Sequence, residues 1–110
     1  MHMDSDVGKM GAPTVLVDSN AIVERDWFLD RTPWKLLLAL SEAQQVRLVV
    51  PEVVVREVIG KFRSTVKKAA TGLRKLEIEF FPDDETTKYE HFLRQRLAQS
   101  KAEVARPSRS

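Results

Sequence analysis

The first strand of the fold is predicted by the stretch Thr14-Val15-Leu16-Val17-Asp18-Ser19-Asn20. Three consecutive aliphatic residues precede the polar run, which is typical of a parallel strand buried on both faces. Asp18 follows directly, and ligands of α/β sheets gather at the carboxyl ends of the strands. We therefore predict that Asp18 ends a buried β-strand of a small α/β domain and lies at its functional edge.

A second strand is predicted further along the chain by the apolar stretch from Val46 to Val50, which Pro51 closes. A helix is predicted between the two strands, from Thr32-Pro33 to near Gln45, because Pro suits the first helical position. The whole interval has the length of a βαβ crossover. The sequence therefore predicts two parallel strands joined through this helix.

The second half of the chain reads as helical. From Glu52 to Leu76, apolar residues recur in alternating steps of four and three, which predicts one long amphipathic helix. Within it, Gly60 and Gly72 each weaken the helix by about 1 kcal/mol relative to Ala and would mark a bend or close packing. The segment from Leu76 to Phe81 fits either the end of this helix or a short strand, and both interpretations stay open.

A last helix is predicted after Pro82. Pro82 followed by Asp83 and Asp84 indicates a helix stop and then an N-cap, and apolar residues at helical spacing continue to Leu97. N-capping is the preferred interpretation of the two aspartates, over a role in a site. His91 lies on this helix without a partner motif, so we expect a packing or solvent role for it.

Length and composition predict one cytoplasmic domain. We expect residues 1–12 to be a disordered leader that begins with a cloning remnant, residues 13–105 to be a single domain and residues 106–110 to be a flexible tail. Cysteine is absent, which excludes a disulfide framework and thiolate metal sites. No apolar run approaches the roughly 18 residues of a membrane span, so no membrane partner is expected.

Charge is unevenly distributed along the chain. Residues 1–60 hold six Lys/Arg against nine Asp/Glu, whereas residues 61–110 hold twelve against seven. Residues 61–75 contain no acid, and their six cations are Lys61, Arg63, Lys67, Lys68, Arg74 and Lys75. Phosphate contacts and a solvated helix face explain these cations equally well, and no Trp or Tyr interleaves with them for base stacking.

Asp18 and Glu57 are the candidate chemical residues. Asp18, partly desolvated after three aliphatics, would ligate a divalent cation or cap the next helix. Glu57 shares a helix face with Val53 and Val54, which points it toward a neighbour, although an ion pair with Lys61 four residues on is the competing interpretation. Two converging carboxylates would suit a hard ion such as Mg²⁺ or Mn²⁺. Asp26 and Asp30, close to strand one, are expected to be surface acids.

The stretches Val15–Asn20 and Leu48–Val58 together resemble the N-terminal half of a PIN-like domain, over about residues 14 to 66. In that family the first strand ends in a metal-binding Asp followed closely by Asn, Ser or Thr, and a helix after the second strand carries a metal-binding acid. The resemblance implies that Asp18 and Glu57 bind metal and act in catalysis, with Asn20 and Ser19 in supporting positions.

The resemblance also implies a fold and a function. The fold would be a three-layer arrangement with a small parallel sheet flanked by helices, and the function Mg²⁺- or Mn²⁺-dependent RNA cleavage by metal-activated water. The basic helix would then contact RNA, and an antitoxin protein is an expected partner because many bacterial members are toxins of toxin–antitoxin pairs.

One departure from the family pattern leaves an alternative function open. The family's later acids have no match before Ser110, so we expect the C-terminal part of the fold to be lacking. A truncated or degenerate module that binds nucleic acid or a protein partner without catalysis is therefore the alternative. A nucleotide-binding protein is disfavoured because no Gly-rich loop follows strand one. A sheet of two or three strands has exposed edges, which favours a homodimer.

Overall fold

The computed structural model describes residues 11–79 and 81–106. Its elements follow the chain in a β-α-α-β-α-α-β order: β1 (Thr14–Leu16), α1 (Asn20–Val23), α2 (Thr32–Glu42), β2 (Arg47–Pro51), α3 (Glu52–Arg74), α4 (Pro82–Gln99) and β3 (Glu103–Ala105). The disorder predicted for residues 1–10 and 107–110, including the cloning remnant, lies outside the described residues. No helix within the described ranges is long and apolar enough to cross a membrane.

The three strands form one parallel sheet in the order β1-β2-β3. Val15 lies opposite Leu48 across the first pair of strands, and Val50 lies opposite Val104 across the second. The predicted α/β class with a small parallel sheet is confirmed. The strand β3 was not predicted, because a three-residue strand with Val104 as its one aliphatic residue other than alanine leaves little pattern to detect.

The two faces of the sheet differ in burial. Side chains alternate along a strand, and the face that carries Val17, Leu48 and Val50 joins the core formed with all four helices. On the opposite face the central Val49 is buried, but its neighbours are Leu16, which is 69% exposed, and an ion pair of 2.7 Å from Arg47 Nη2 to Glu103 Oε1. The prediction that β1 is buried on both faces is therefore wrong.

The described residues consequently form two layers, whereas three were predicted. Both crossovers step in the same direction across the sheet, from β1 to β2 and from β2 to β3. Right-handed crossovers that step in one direction place their helices on the same face of a sheet. The helices thus cover one face, and β1 remains an edge strand.

Helix boundaries agree with the sequence pattern at most ends. Helix α2 begins at Thr32 as predicted and ends at Glu42, just before the predicted end, and α3 runs to Arg74. A turn at residues 75–77 follows α3, so Leu76 is outside the helix, and no strand forms in the described part of the segment up to Phe81. Phe81 is the N-cap residue of α4 and Pro82 its first residue. The prediction that an aspartate caps α4 is therefore wrong.

An aromatic cluster joins α3 and α4 to the loop after α1. The Phe62 and Tyr89 rings stack with centroids 4.0 Å apart, and the Trp27 ring packs edge-on against both. The Tyr89 hydroxyl donates a hydrogen bond of 2.7 Å to the Trp27 carbonyl. The first part of the stripe predicted on α3, including Phe62, therefore packs on α4 and this loop, whereas Ala69 and Leu76 of the same stripe are exposed.

Candidate functional site

Asp18 and Glu57 both lie on elements that leave the carboxyl edge of the sheet. Because β1 and β2 are parallel neighbours, their carboxyl ends share one edge. Asp18 lies two residues beyond β1. Helix α3 begins directly after β2, which places Glu57 about 7.5 Å along its axis at 1.5 Å per residue. Helix α1, which follows Asp18, packs against α3.

Asp18 is exposed, which corrects the expectation of a partly desolvated carboxylate. Its Oδ1 accepts a hydrogen bond of 2.8 Å from the Ser19 backbone N–H. Ser19 is buried and is the N-cap of α1, although its hydroxyl makes no capping bond, and Asn20 is exposed at the first helical position. Asp18 thus satisfies one amide beside the start of α1 while its carboxylate stays accessible to a ligand.

Glu57 is also exposed, so the prediction that it points toward a neighbour is wrong. The buried side of α3 passes through Val55 and Val58 instead, and Val53, which was expected to be covered, is 66% exposed. Among the described residues Glu57 makes no ion pair, so the competing interaction with Lys61 does not form. The Glu57 carboxylate is therefore accessible as well.

Glu52 is a buried acid at this edge that sequence reasoning missed. Arg94 on α4 donates to both Glu52 carboxylate oxygens, at 2.9 and 2.8 Å, and Arg56 Nε donates to Oε2 at 3.0 Å. The hydrogen bonds from Arg94 lower the pKa of Glu52 to about 2. These bonds fasten the start of α3 to α4, and the pairing across 42 residues has no sequence signal.

Asp26 is buried as well, so the prediction of a surface acid holds for Asp30 and is wrong for Asp26. Burial raises the pKa of Asp26, but hydrogen bonds from the backbone amides of Asp30 and Arg31 outweigh it and bring the pKa below its usual 3.8. Asp30 forms a long surface ion pair of 3.8 Å with Lys35. Asp26 therefore closes the loop before α2.

The carboxylates at this edge are the type of ligand that a divalent cation prefers, but they are fewer than a complete protein site would supply. Within residues 11–79 and 81–106, no group of three or more His, Asp or Glu converges as a metal cage. Asp18 and Glu57 offer hard oxygen ligands, and Mg²⁺ commonly uses one or two carboxylates while water and substrate phosphate complete its shell. The two residues would therefore hold a metal by themselves only weakly.

The six cations of residues 61–75 are all exposed, five of them on α3 and Lys75 directly after it. Arg63 pairs with Asp83, through Nη2 at 2.8 Å and Nε at 2.9 Å. Together with Lys67 and Arg74, Arg63 lines a groove of about 380 Å³ between α3 and the start of α4. Asp83 is therefore the ion-pair partner of Arg63. His91 is exposed, in agreement with its expected solvent role.

Comparison with known proteins returns no relative: no family model, curated protein or solved structure matches this chain.

Proposed function

We propose that this chain is a PIN-like module that binds RNA and supplies Asp18 and Glu57 as two carboxylate ligands of Mg²⁺ or Mn²⁺ for RNA cleavage. The supporting observation is the placement of two exposed carboxylates on consecutive β–α units of one sheet edge. The buried acids Glu52 and Asp26 are already engaged in hydrogen bonds, which leaves them no comparable role. A PIN-like fold and a place in the cytoplasm belong to the same proposal.

In this reaction some residues would bind the metal or the RNA, and others would hold the metal ligands in position. A divalent metal, when bound, supplies an activated water and stabilises charge on the phosphate. The Ser19 amide holds Asp18 Oδ1, which fixes the orientation of the carboxylate. The Arg94 bonds to Glu52 fix the first turn of α3 and, through it, Glu57. The cations of α3 attract the RNA backbone.

A Mn²⁺ titration by calorimetry tests the metal ligands. We expect Asp18→Asn and Glu57→Gln each to weaken Mn²⁺ binding by about tenfold or more, because even removal of a residue that supports a ligand commonly costs that much. Asp30→Asn and Glu42→Gln remove matched exposed charges elsewhere and should bind like the wild type. Unchanged affinity in both site variants would contradict the proposal.

A module that binds nucleic acid or protein without catalysis is the second candidate. It is favoured by the observation that no group of three or more acids or histidines converges among the described residues, and that Glu52, the third acid at this edge, is bonded to Arg94 and Arg56. RNA cleavage measured with Mn²⁺ and with EDTA separates the two functions. Metal-dependent turnover that Asp18→Asn abolishes supports the nuclease, whereas salt-sensitive RNA binding without turnover supports the binding module.

A toxin role with an antitoxin partner extends the nuclease proposal. Its test is expression in a bacterial host, where the wild-type chain should arrest growth and the Asp18→Asn variant should not. Equal growth of cells that express the two proteins to the same level would argue against a toxin.

A further inference from the structure

Two adjoining hollows lie where α3 ends and α4 begins. The first is the groove of about 380 Å³ described above, which Arg63, Lys67 and Arg74 line from the α3 side. The second has a volume of about 440 Å³ and is lined by Arg74, Glu77, Ile78, Glu79, Phe81 and Pro82. Because Arg74 and Pro82 belong to both linings, the hollows are adjacent.

The second hollow displays an exposed aromatic side chain. Phe81 is 60% exposed and Ile78 is 47% exposed, although both are apolar. No Trp or Tyr lies among the cations of α3, and Phe62 is stacked on Tyr89, but the turn at residues 75–77 reverses the chain and returns Phe81 to Arg74. An exposed aromatic ring beside cations is the combination that single-stranded nucleic-acid sites use to stack a base and hold its phosphate.

The charges of the two hollows are complementary to different parts of a nucleotide. Within the described residues, Asp83 is the acid that pairs with the groove's cations and it engages Arg63, so Lys67 and Arg74 have no acidic partner. A phosphate therefore fits the groove. Glu77 and Glu79 in the second hollow repel a phosphate, but carboxylates accept hydrogen bonds from the amino groups of bases.

We infer that these hollows form one anchoring site for a single-stranded nucleic acid, with a phosphate on Lys67 and Arg74 and a base on Phe81. At 1.5 Å per residue along α3, Lys67 lies about 15 Å and Arg74 about 25 Å from Glu57. The site rests on the RNA binding proposed above and needs no metal. The site would hold a strand at a distance from the carboxyl edge of the sheet.

Fluorescence anisotropy in EDTA tests this site with two probes, a labelled oligoadenylate and an abasic strand of equal length. We expect Phe81→Ala to weaken oligoadenylate binding by about fivefold or more without affecting the abasic strand, because stacking on aromatic rings needs a base. Phe81→Trp should retain binding. Arg74→Ala should weaken both probes and reduce the slope of log K against log salt by about 0.7.

Two controls on α2 remove the same kinds of side chain away from the hollows. Leu36→Ala deletes an exposed apolar residue and Lys35→Ala an exposed cation, and both should bind like the wild type. Equal oligoadenylate affinity for wild type and Phe81→Ala would overturn the anchoring site while leaving RNA binding by α3 intact.

Two further outcomes separate the proposals. Failure of the wild type to bind either probe at low salt would overturn the proposed RNA binding and the anchoring site together. The other outcome is that Phe81→Ala leaves oligoadenylate affinity unchanged but abolishes association of the wild type with itself at high concentration. That result would overturn the inference and would mean that the exposed Phe81 contacts a second copy of this chain.

Discussion

Glu52 shows how a single carboxylate can be buried at low cost. Its side chain is 6% exposed, and an isolated carboxylate at such a position would take up a proton to become neutral. Arg94 provides a bidentate pair, and its guanidinium bonds Glu90 as well, at 2.9 Å. The pKa of Arg94 is raised in turn, first by its hydrogen bonds to Glu52. The pair is therefore a structural fastener beside the candidate site.

Loss of Arg94 should be costly in a pH-dependent way. We expect Arg94→Met to lower the free energy of unfolding at neutral pH by roughly 2 to 3 kcal/mol, since Glu52 would remain buried without its main partner. Because the folded-state pKa of Glu52 is lowered from 4.5 to about 2, the stabilisation is complete above pH 4.5 and disappears as the pH falls toward 2. Urea unfolding across this pH range measures the effect.

The matched control for this prediction is Arg56→Ala. Arg56 bonds the same Glu52 oxygen but is 73% exposed, so its removal should cost less than about 1 kcal/mol. If both variants lost a similar amount of unfolding free energy, Arg94 would not be the main partner of Glu52.

Tyr89 is a second residue whose ionisation reports on its surroundings. Burial raises the pKa of Tyr89, and the nearby negative charge of Asp26 adds to the shift. Because Tyr89 is the only tyrosine of the chain, absorbance at high pH follows its ionisation without interference. We expect no ionisation near pH 10, the usual value, and loss of stability as the pH rises further, because the unfolded chain then ionises first.

The complementary variant is Tyr89→Phe, which keeps the stacking on Phe62 and removes the hydrogen bond to the Trp27 carbonyl. A decrease of about 1 kcal/mol in unfolding free energy is expected, since a partly buried hydrogen bond is lost. A tyrosine that titrates at its usual pH in the folded protein would contradict this placement.

At the scale of elements, α3 contains two glycines that the fold does not require. Ideal Cβ atoms built at Gly60 and Gly72 meet nothing within 4 Å, and neither residue has positive φ. The expectation of close packing at these positions is therefore wrong, whereas the alternative, a bend, stays a prediction.

Replacement of either glycine should stabilise the protein. Gly60→Ala and Gly72→Ala should each raise the unfolding free energy by about 0.5 to 1 kcal/mol, because alanine restricts the unfolded chain and favours helix. Thermal unfolding followed by circular dichroism measures the change. Gly11→Ala is the contrasting variant and should give no gain, since Gly11 has φ of +88°. A lower melting temperature in the two helical variants would show contacts that the structure lacks.

The elements themselves were largely predictable, because each carries a local signal. Strand β2 and helices α2 to α4 have apolar periodicity or proline boundaries, and these were placed within a few residues. Strand β3 carries almost no pattern of its own and is defined by its pairing with β2. The one-sided burial of the sheet depends on the direction of both crossovers, and so on the unpredicted position of β3.

The sequence predicted which elements carry the residues of the candidate site, but it did not predict their exposure or their hydrogen-bond partners. The position of Asp18 at a strand end follows from the sequence. The exposure of Glu57, however, depends on which side of α3 packs against the core. The apolar Val53 suggested that the side shared with Glu57 is covered, but Val53 is 66% exposed. The burial of Glu52 depends on Arg94, 42 residues away, and the burial of Asp26 depends on how the loop before α2 folds back on it. Such partners become visible only once the elements are packed.

At the scale of the whole molecule, β1 pairs with β2 alone among the described residues and so forms an edge of the sheet. Val17 N–H and Pro13 C=O bond to β2, at 3.0 and 2.7 Å, so the backbone groups of the alternate residues Thr14 and Leu16 face away from it. The strand carries no charge that would discourage pairing, and Leu16 is 69% exposed. Open, uncharged edges of this kind are where sheets extend into other chains.

We therefore expect self-association through β1, which light scattering over a range of protein concentrations measures. The wild type should gain mass with concentration, whereas Leu16→Lys should remain a monomer, because a charge on the edge strand opposes pairing. Val53→Lys places the same charge at a residue that is similarly exposed, 66%, on α3 and should associate like the wild type. Since Leu16 lies outside the buried core, its replacement should leave the melting temperature of the monomer nearly unchanged. A wild type that is monomeric at all concentrations would show that the open edge of β1 does not by itself drive pairing.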